Sequence, residues 1–97
     1  MEYIKDVPHV RFVIPDTITV REQLRYYSAM TIPYGKEMFI RYWEGAKVLV
    51  TEWECELFPD KNVDLDTVTD ANIPAILIWA GMTVKNHIDS MANAPKN

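Results

Sequence analysis

The stretch KEMFIRYWEGAKVLVTEWEC, residues 36–55, decides how the chain is read. Apolar residues recur at Phe39, Trp43, Ala46, Val50 and Trp53, in alternating steps of four and three. That spacing places them on one face of a helix with a period near 3.6. Met38, Tyr42 and Leu49 widen the stripe. Lys36, Glu37, Arg41, Glu44, Lys47, Glu52 and Glu54 fall mostly on the other side. The pattern predicts one long central helix over 35–56. A stripe carrying two tryptophans must be covered by the rest of the chain. Gly45 lies inside this helix at a cost of roughly 1 kcal/mol relative to alanine. Without a Cβ it allows another helix to approach closely.

Towards the N-terminus, Thr31-Ile32-Pro33-Tyr34-Gly35 breaks the chain with a proline and a glycine. Before it, Thr19-Val20-Arg21-Glu22 fits a capping box, with a Glu three residues after a Thr. A helix over 20–30 follows, with Val20, Leu24, Tyr27 and Met30 expected on one face. His9–Ile14 puts Val10, Phe12 and Ile14 on one side and His9, Arg11 and Val13 on the other, and reads as a strand stopped by Pro15. One short strand cannot stand alone. Its partner would come from residues 2–6, from 16–19, or from another protein. Residues 1–8 are otherwise expected to be a loosely held arm before a single helical domain over 9–97.

Towards the C-terminus, Leu57–Thr69 is an Asp-rich connector, with one helical turn expected near Asp64–Val68. Asp70 or Asn72 is the expected cap of the last helix, over 71–92, and Pro74 sits in its tolerant first turn. Ile73, Leu77, Ala80, Val84, Ile88 and Met91 form its inward stripe, and Gly81 repeats the Gly45 device. The fold expected is mainly α: three helices, about 20–30, 35–56 and 71–92, with a short N-terminal β-strand or hairpin.

Of the 97 residues, 48% are hydrophobic, enough for a core, and the net charge is −4. That charge argues against direct nucleic-acid binding, which needs a basic patch. Cys55 is the single cysteine, so no internal disulfide forms, in keeping with a reducing compartment. The N-terminus lacks a basic segment followed by an apolar one, unlike a signal peptide. The longest apolar run is about half of what a membrane span requires. The expectation is a soluble intracellular protein without membrane contact.

Catalysis has little to stand on. A nucleophile needs a base in reach, and the two histidines, His9 and His87, are far from Cys55 in sequence. Zinc would want three or more Cys or His at familiar spacings. Residues 60–71 begin like a calcium loop, but Leu65 stands where the turn needs glycine and Ala71 where a bidentate Glu belongs. No enzyme activity, metal or cofactor is expected. The charge distribution says more. Glu52, Glu54, Glu56, Asp60, Asp64, Asp66 and Asp70 stand against one base, Lys61. Three of them fall at the end of the expected central helix, where the macrodipole disfavours them. They read as a solvated face or as a docking surface for a basic partner. Tyr26, Tyr27 and Tyr34 gather near the first interhelical turn, as packing or as an aromatic docking surface. Association with copies of itself stays open, because Gly45 and Gly81 would serve an internal crossing or a dimer seam equally.

The runs IPDTITVREQLRYYSA (14–29), RYWEGAKVLVTEWEC (41–55), LDTVTDANIPAILIWAGMTV (65–84) and the final PKN together resemble small proteins of tailed-phage structural modules. These are of the tail assembly chaperone or small virion-associated type. The resemblance implies a non-enzymatic protein that engages a phage tail or virion protein. Its place would be the host cell cytoplasm, with incorporation in the virion as the other location. The alternative is a small acidic inhibitor of a host defence or nucleic-acid enzyme, acting through the carboxylates of residues 52–70.

Overall fold

The computed structural model describes residues 1–31 and 38–92. In chain order these form β1 (Glu2–Lys5), β2 (Val10–Val13), α1 (Val20–Met30), α2 (Met38–Leu49), β3 (Thr51–Cys55) and α3 (Ile73–Ala92), with a short 3-10 turn at Leu65–Thr67. The strands make one antiparallel sheet in the order β1-β2-β3. The fold is therefore α+β with a three-stranded sheet, and the mainly α expectation is corrected.

The correction lies in the central stretch. The last helical hydrogen bond of α2 runs from the Val50 N–H to the Ala46 carbonyl, and Thr51 then pairs with Val13. Val48, Val50, Thr51 and Trp53 are weak helix formers and good strand residues. As a strand, the segment puts Trp53 against the Phe12 ring at 5.9 Å and the Trp43 ring at 5.2 Å. Glu52, Glu54 and Glu56 thus leave the helix, and no macrodipole opposes them. At the true end of α2, Lys61 Nζ donates to the carbonyls of Lys47 (3.0 Å) and Val50 (2.6 Å). A cation there satisfies orphan acceptors and complements the dipole. Burial lowers its pKa below that of a free lysine.

β3 carries a bulge. Arg11 faces Glu54 and Val13 faces Thr51, so β3 has one extra residue in this span. Glu52 takes φ 50° there, the left-handed region that L-residues seldom occupy. The extra residue lets Trp53 and Cys55 face the core while Thr51 faces out beside Val13. The expected arm contributes the third strand: β1 pairs with β2, and Tyr3 stacks on Phe12 at 5.4 Å.

The inner face of the sheet, with Val10 and Phe12 fully buried, meets Trp43 of α2 through Trp53 and Trp79 of α3 through Phe12. Ile73, Ile76, Ala80, Val84 and Ile88 of α3 complete this core. α2 lies between α1 and α3 and packs on both. Each crossing uses a glycine. A Cβ on Gly81 would stand 2.9 Å from Tyr42 Cβ and 3.0 Å from the Tyr42 backbone carbon. One on Gly45 would meet Met30 Cγ at 2.7 Å and the Tyr26 ring at 2.8 Å. The two glycines therefore serve two separate crossings. The capping box of α1 is present: Thr19 Oγ1 accepts from the Glu22 N–H at 3.1 Å, and Glu22 accepts from the Thr19 N–H at 3.0 Å.

Candidate functional site

α1 meets the rest of the molecule along one side only. Tyr26 is 1% exposed against Gly45, with Ala29 and Met30 half-buried beside it. The opposite side carries Val20 at 72% exposure, Leu24 at 63% and Tyr27 at 47%. Positions 20, 24 and 27 lie one helical turn apart and form a continuous apolar ridge. Of the four residues expected on one face, Val20, Leu24 and Tyr27 form this ridge, and Met30 packs on the α2 side. The helix has two apolar faces, and the one bearing Tyr26 and Met30 fits α2. The sheet reaches over α2 and α3 and leaves the α1 ridge uncovered.

Arg21, Arg25 and Ser28 flank this ridge and share its shallow groove with Val20 and Leu24. Neither guanidinium makes an ion pair or hydrogen bond with a described residue. Arg25 acts on the Glu22 carboxylate through space only. The other described lysines and arginines are all engaged. Arg11 bridges Glu2 (3.0 Å) and Glu54 (3.4 Å) across the outer face of the sheet. Lys47 pairs with Glu44, Lys85 with Asp89, Lys61 caps α2, Arg41 donates to the Met30 carbonyl and Lys5 lies over Trp79.

A second apolar surface opens where the first turns of α2 and α3 meet. Phe39, Ile40, Leu65, Pro74, Leu77 and Ile78 line a groove of about 230 Å³ with almost no polar wall. Phe39, expected in the central stripe, is 51% exposed at its edge. Leu65, Pro74 and Leu77 continue into an adjoining depression whose wall includes Asp70. Asp66 follows Leu65 in the 3-10 turn, and its carboxylate has no hydrogen bond or ion pair with a described residue.

The seven acidic candidates do not act alike. Glu54 is tied to Arg11, and Glu56 accepts from the His9 N–H at 3.2 Å. Asp60, Asp64 and Asp70 each accept from the N–H two residues on, at 2.9, 3.0 and 2.8 Å. These are turn-forming bonds. Glu52 sits in the bulge, and Asp66 lies in the 3-10 turn next to the groove residue Leu65. Of the aromatic candidates, Tyr27 is on the ridge, Tyr26 is in the core and not on a surface, and Tyr34 lies outside the described residues. Burial, with the charge of Asp89 second, pushes the Tyr26 phenol up to about 12.

Cys55 is buried beneath the sheet opposite Val10. His87 lies at the boundary of α3, its Nδ1 3.1 Å from the Tyr3 hydroxyl. Among the described residues, no group of three His, Cys, Asp or Glu side chains is placed to hold a metal. No described helix is long and apolar enough to cross a membrane. No protein-family model matches the chain, and no curated protein or solved structure does.

Proposed function

We propose that this chain is a non-enzymatic protein–protein interaction protein, of the kind that a phage tail assembly chaperone or small virion assembly factor is. The observation that carries the reading is the exposed ridge Val20-Leu24-Tyr27 on a well-capped helix. A helix with one apolar face packed and a second one bare is a ready-made element for helix-in-groove recognition. The resemblance of the sequence to phage structural-module proteins supplies the class of partner, a tail or virion protein, and with it the host cytoplasm or the virion as location. The acidic run gives the inhibitor alternative less support. Five of its seven carboxylates already hold a turn, Arg11 or the His9 backbone.

Tagged wild-type chain and a Leu24→Glu/Tyr27→Ala variant, expressed in phage-infected or lysogenic cells, test the reading. The wild type should retain tail or virion proteins and the variant should lose them. Retention of a host nuclease or defence protein, lost on Glu52→Lys/Glu54→Lys and kept by the ridge variant, would overturn it.

A further inference from the structure

Both apolar surfaces carry charge that no ion pair with a described residue neutralises, and the charges are opposite. The α1 ridge is flanked by Arg21 and Arg25, and no carboxylate shares its groove. Two ridges packed symmetrically would bring four guanidiniums together, and like charges across an interface disfavour such pairing. The ridge therefore calls for an apolar acceptor with an acidic lip. The molecule carries such an acceptor itself, in the α2–α3 groove, with Asp70 in the wall of the adjoining depression and Asp66 next in the chain to the groove residue Leu65. Within one molecule the two cannot meet, because the ridge is on the side of α1 turned away from α2.

We propose that α1 of one copy docks its Val20-Leu24-Tyr27 ridge in the α2–α3 groove of a second copy, with Arg21 and Arg25 set against Asp66 and Asp70. This inference rests on the interaction-protein reading and names a partner for it, a second copy of the chain. The contact is heterologous: one copy uses its ridge and the other its groove, so the pair keeps one of each free. Such contacts build rings or open filaments rather than closed pairs. Three ridge side chains and one shallow groove make a small interface, at or below the roughly 1,200 Å² at the low end of specific contacts. Association is thus weak, concentration-dependent and weakened by salt.

Sedimentation equilibrium of the purified chain from about 10 μM to 1 mM tests this, a range set by the weakness expected of so small a contact. The average mass should rise with concentration and pass that of a dimer. Leu24→Glu should stay monomeric throughout. Arg21→Glu/Arg25→Glu alone and Asp66→Arg/Asp70→Arg alone should each associate at least about tenfold more weakly. An equimolar mixture of these two variants should regain assembly, because each ridge then meets a groove of opposite charge. Circular dichroism confirms that each variant is folded. Should Asp70→Arg disturb the start of α3, NMR shift changes of the wild-type chain on dilution serve instead, and they should map to Leu24 and Tyr27 together with Phe39 and Leu77. A wild type that stays monomeric to 1 mM overturns the inference. So does association indifferent to Leu24→Glu, or shifts confined to another face. A monomer that still retains a tail protein through Leu24 leaves the interaction-protein reading standing without self-association.

Discussion

The two crossings of α2 are built from the same residue and are not alike. At Gly81 a Cβ would run into the Tyr42 backbone carbon at 3.0 Å and the Trp43 backbone nitrogen at 3.1 Å. α2 and α3 meet there main chain to main chain. At Gly45 the obstacles are Cγ of Met30 and the edge of the Tyr26 ring. α1 touches α2 with side chains, and its far side is bare. The sheet, α2 and α3 therefore hold most of the core, while α1 adds Tyr26 to it and leaves its other side bare.

The largest effect that would sharpen this contrast is Ile76→Ala, which should cost about 2–5 kcal/mol in urea unfolding, since the side chain is fully buried. Gly81→Ala should cost a net 1–2 kcal/mol or so, because overpacking against backbone exceeds the gain in helix propensity. Gly45→Ala should cost less, about 1 kcal/mol, as both obstacles, Met30 and the Tyr26 ring, are side chains of α1 that can shift where backbone cannot. A larger loss at Gly45 than at Gly81 would break the comparison.

Alkali should loosen α1 in particular. The Tyr26 phenol is raised to about 12 in the folded chain, against about 10 unfolded. The unfolded state loses its proton first, so the contribution of Tyr26 is complete below pH 10 and is lost as pH rises towards 12. Burial raises Tyr3 in the same sense. Urea midpoints at pH 9 and 11 should differ, and Tyr26→Phe should narrow the gap without closing it. The smallest effect belongs to the ridge: Leu24→Ala should change stability by no more than about 0.5 kcal/mol. A substantial loss there would mean that the ridge is packed after all.

Much of α1 and α3 is legible in the sequence. The capping box at Thr19 is satisfied, and the stripe Ile73-Ala80-Val84-Ile88 is buried, with only Met91 of that set exposed. β3 is hidden for a definite reason. The step of three from Val50 to Trp53 suits a helix, and the bulge at Glu52 breaks the alternation that would betray a strand. The facing of α1 depends on α2, where Gly45 accepts Tyr26, so its own two apolar stripes do not decide it. The groove joins Phe39 to Leu65 and Leu77, residues far apart in the chain, and no local pattern signals their meeting. The acids of residues 60–70 show the converse. Three form the turns their spacing suggests, which is the plainer of the two readings.

The place of β2 in the middle of the sheet has a consequence for how the molecule is made. Its first partner, β1, lies just before it, so this hairpin can close while the chain is still short. Its second partner, β3, comes only after residues 14–50, the whole α1–α2 hairpin. Until residues 51–55 arrive, Val10–Val13 presents an open edge and a bare apolar face, the condition in which strands from different chains pair wrongly. Completion of the sheet must wait for the two helices between, and this late, non-local closure sets the pace of folding.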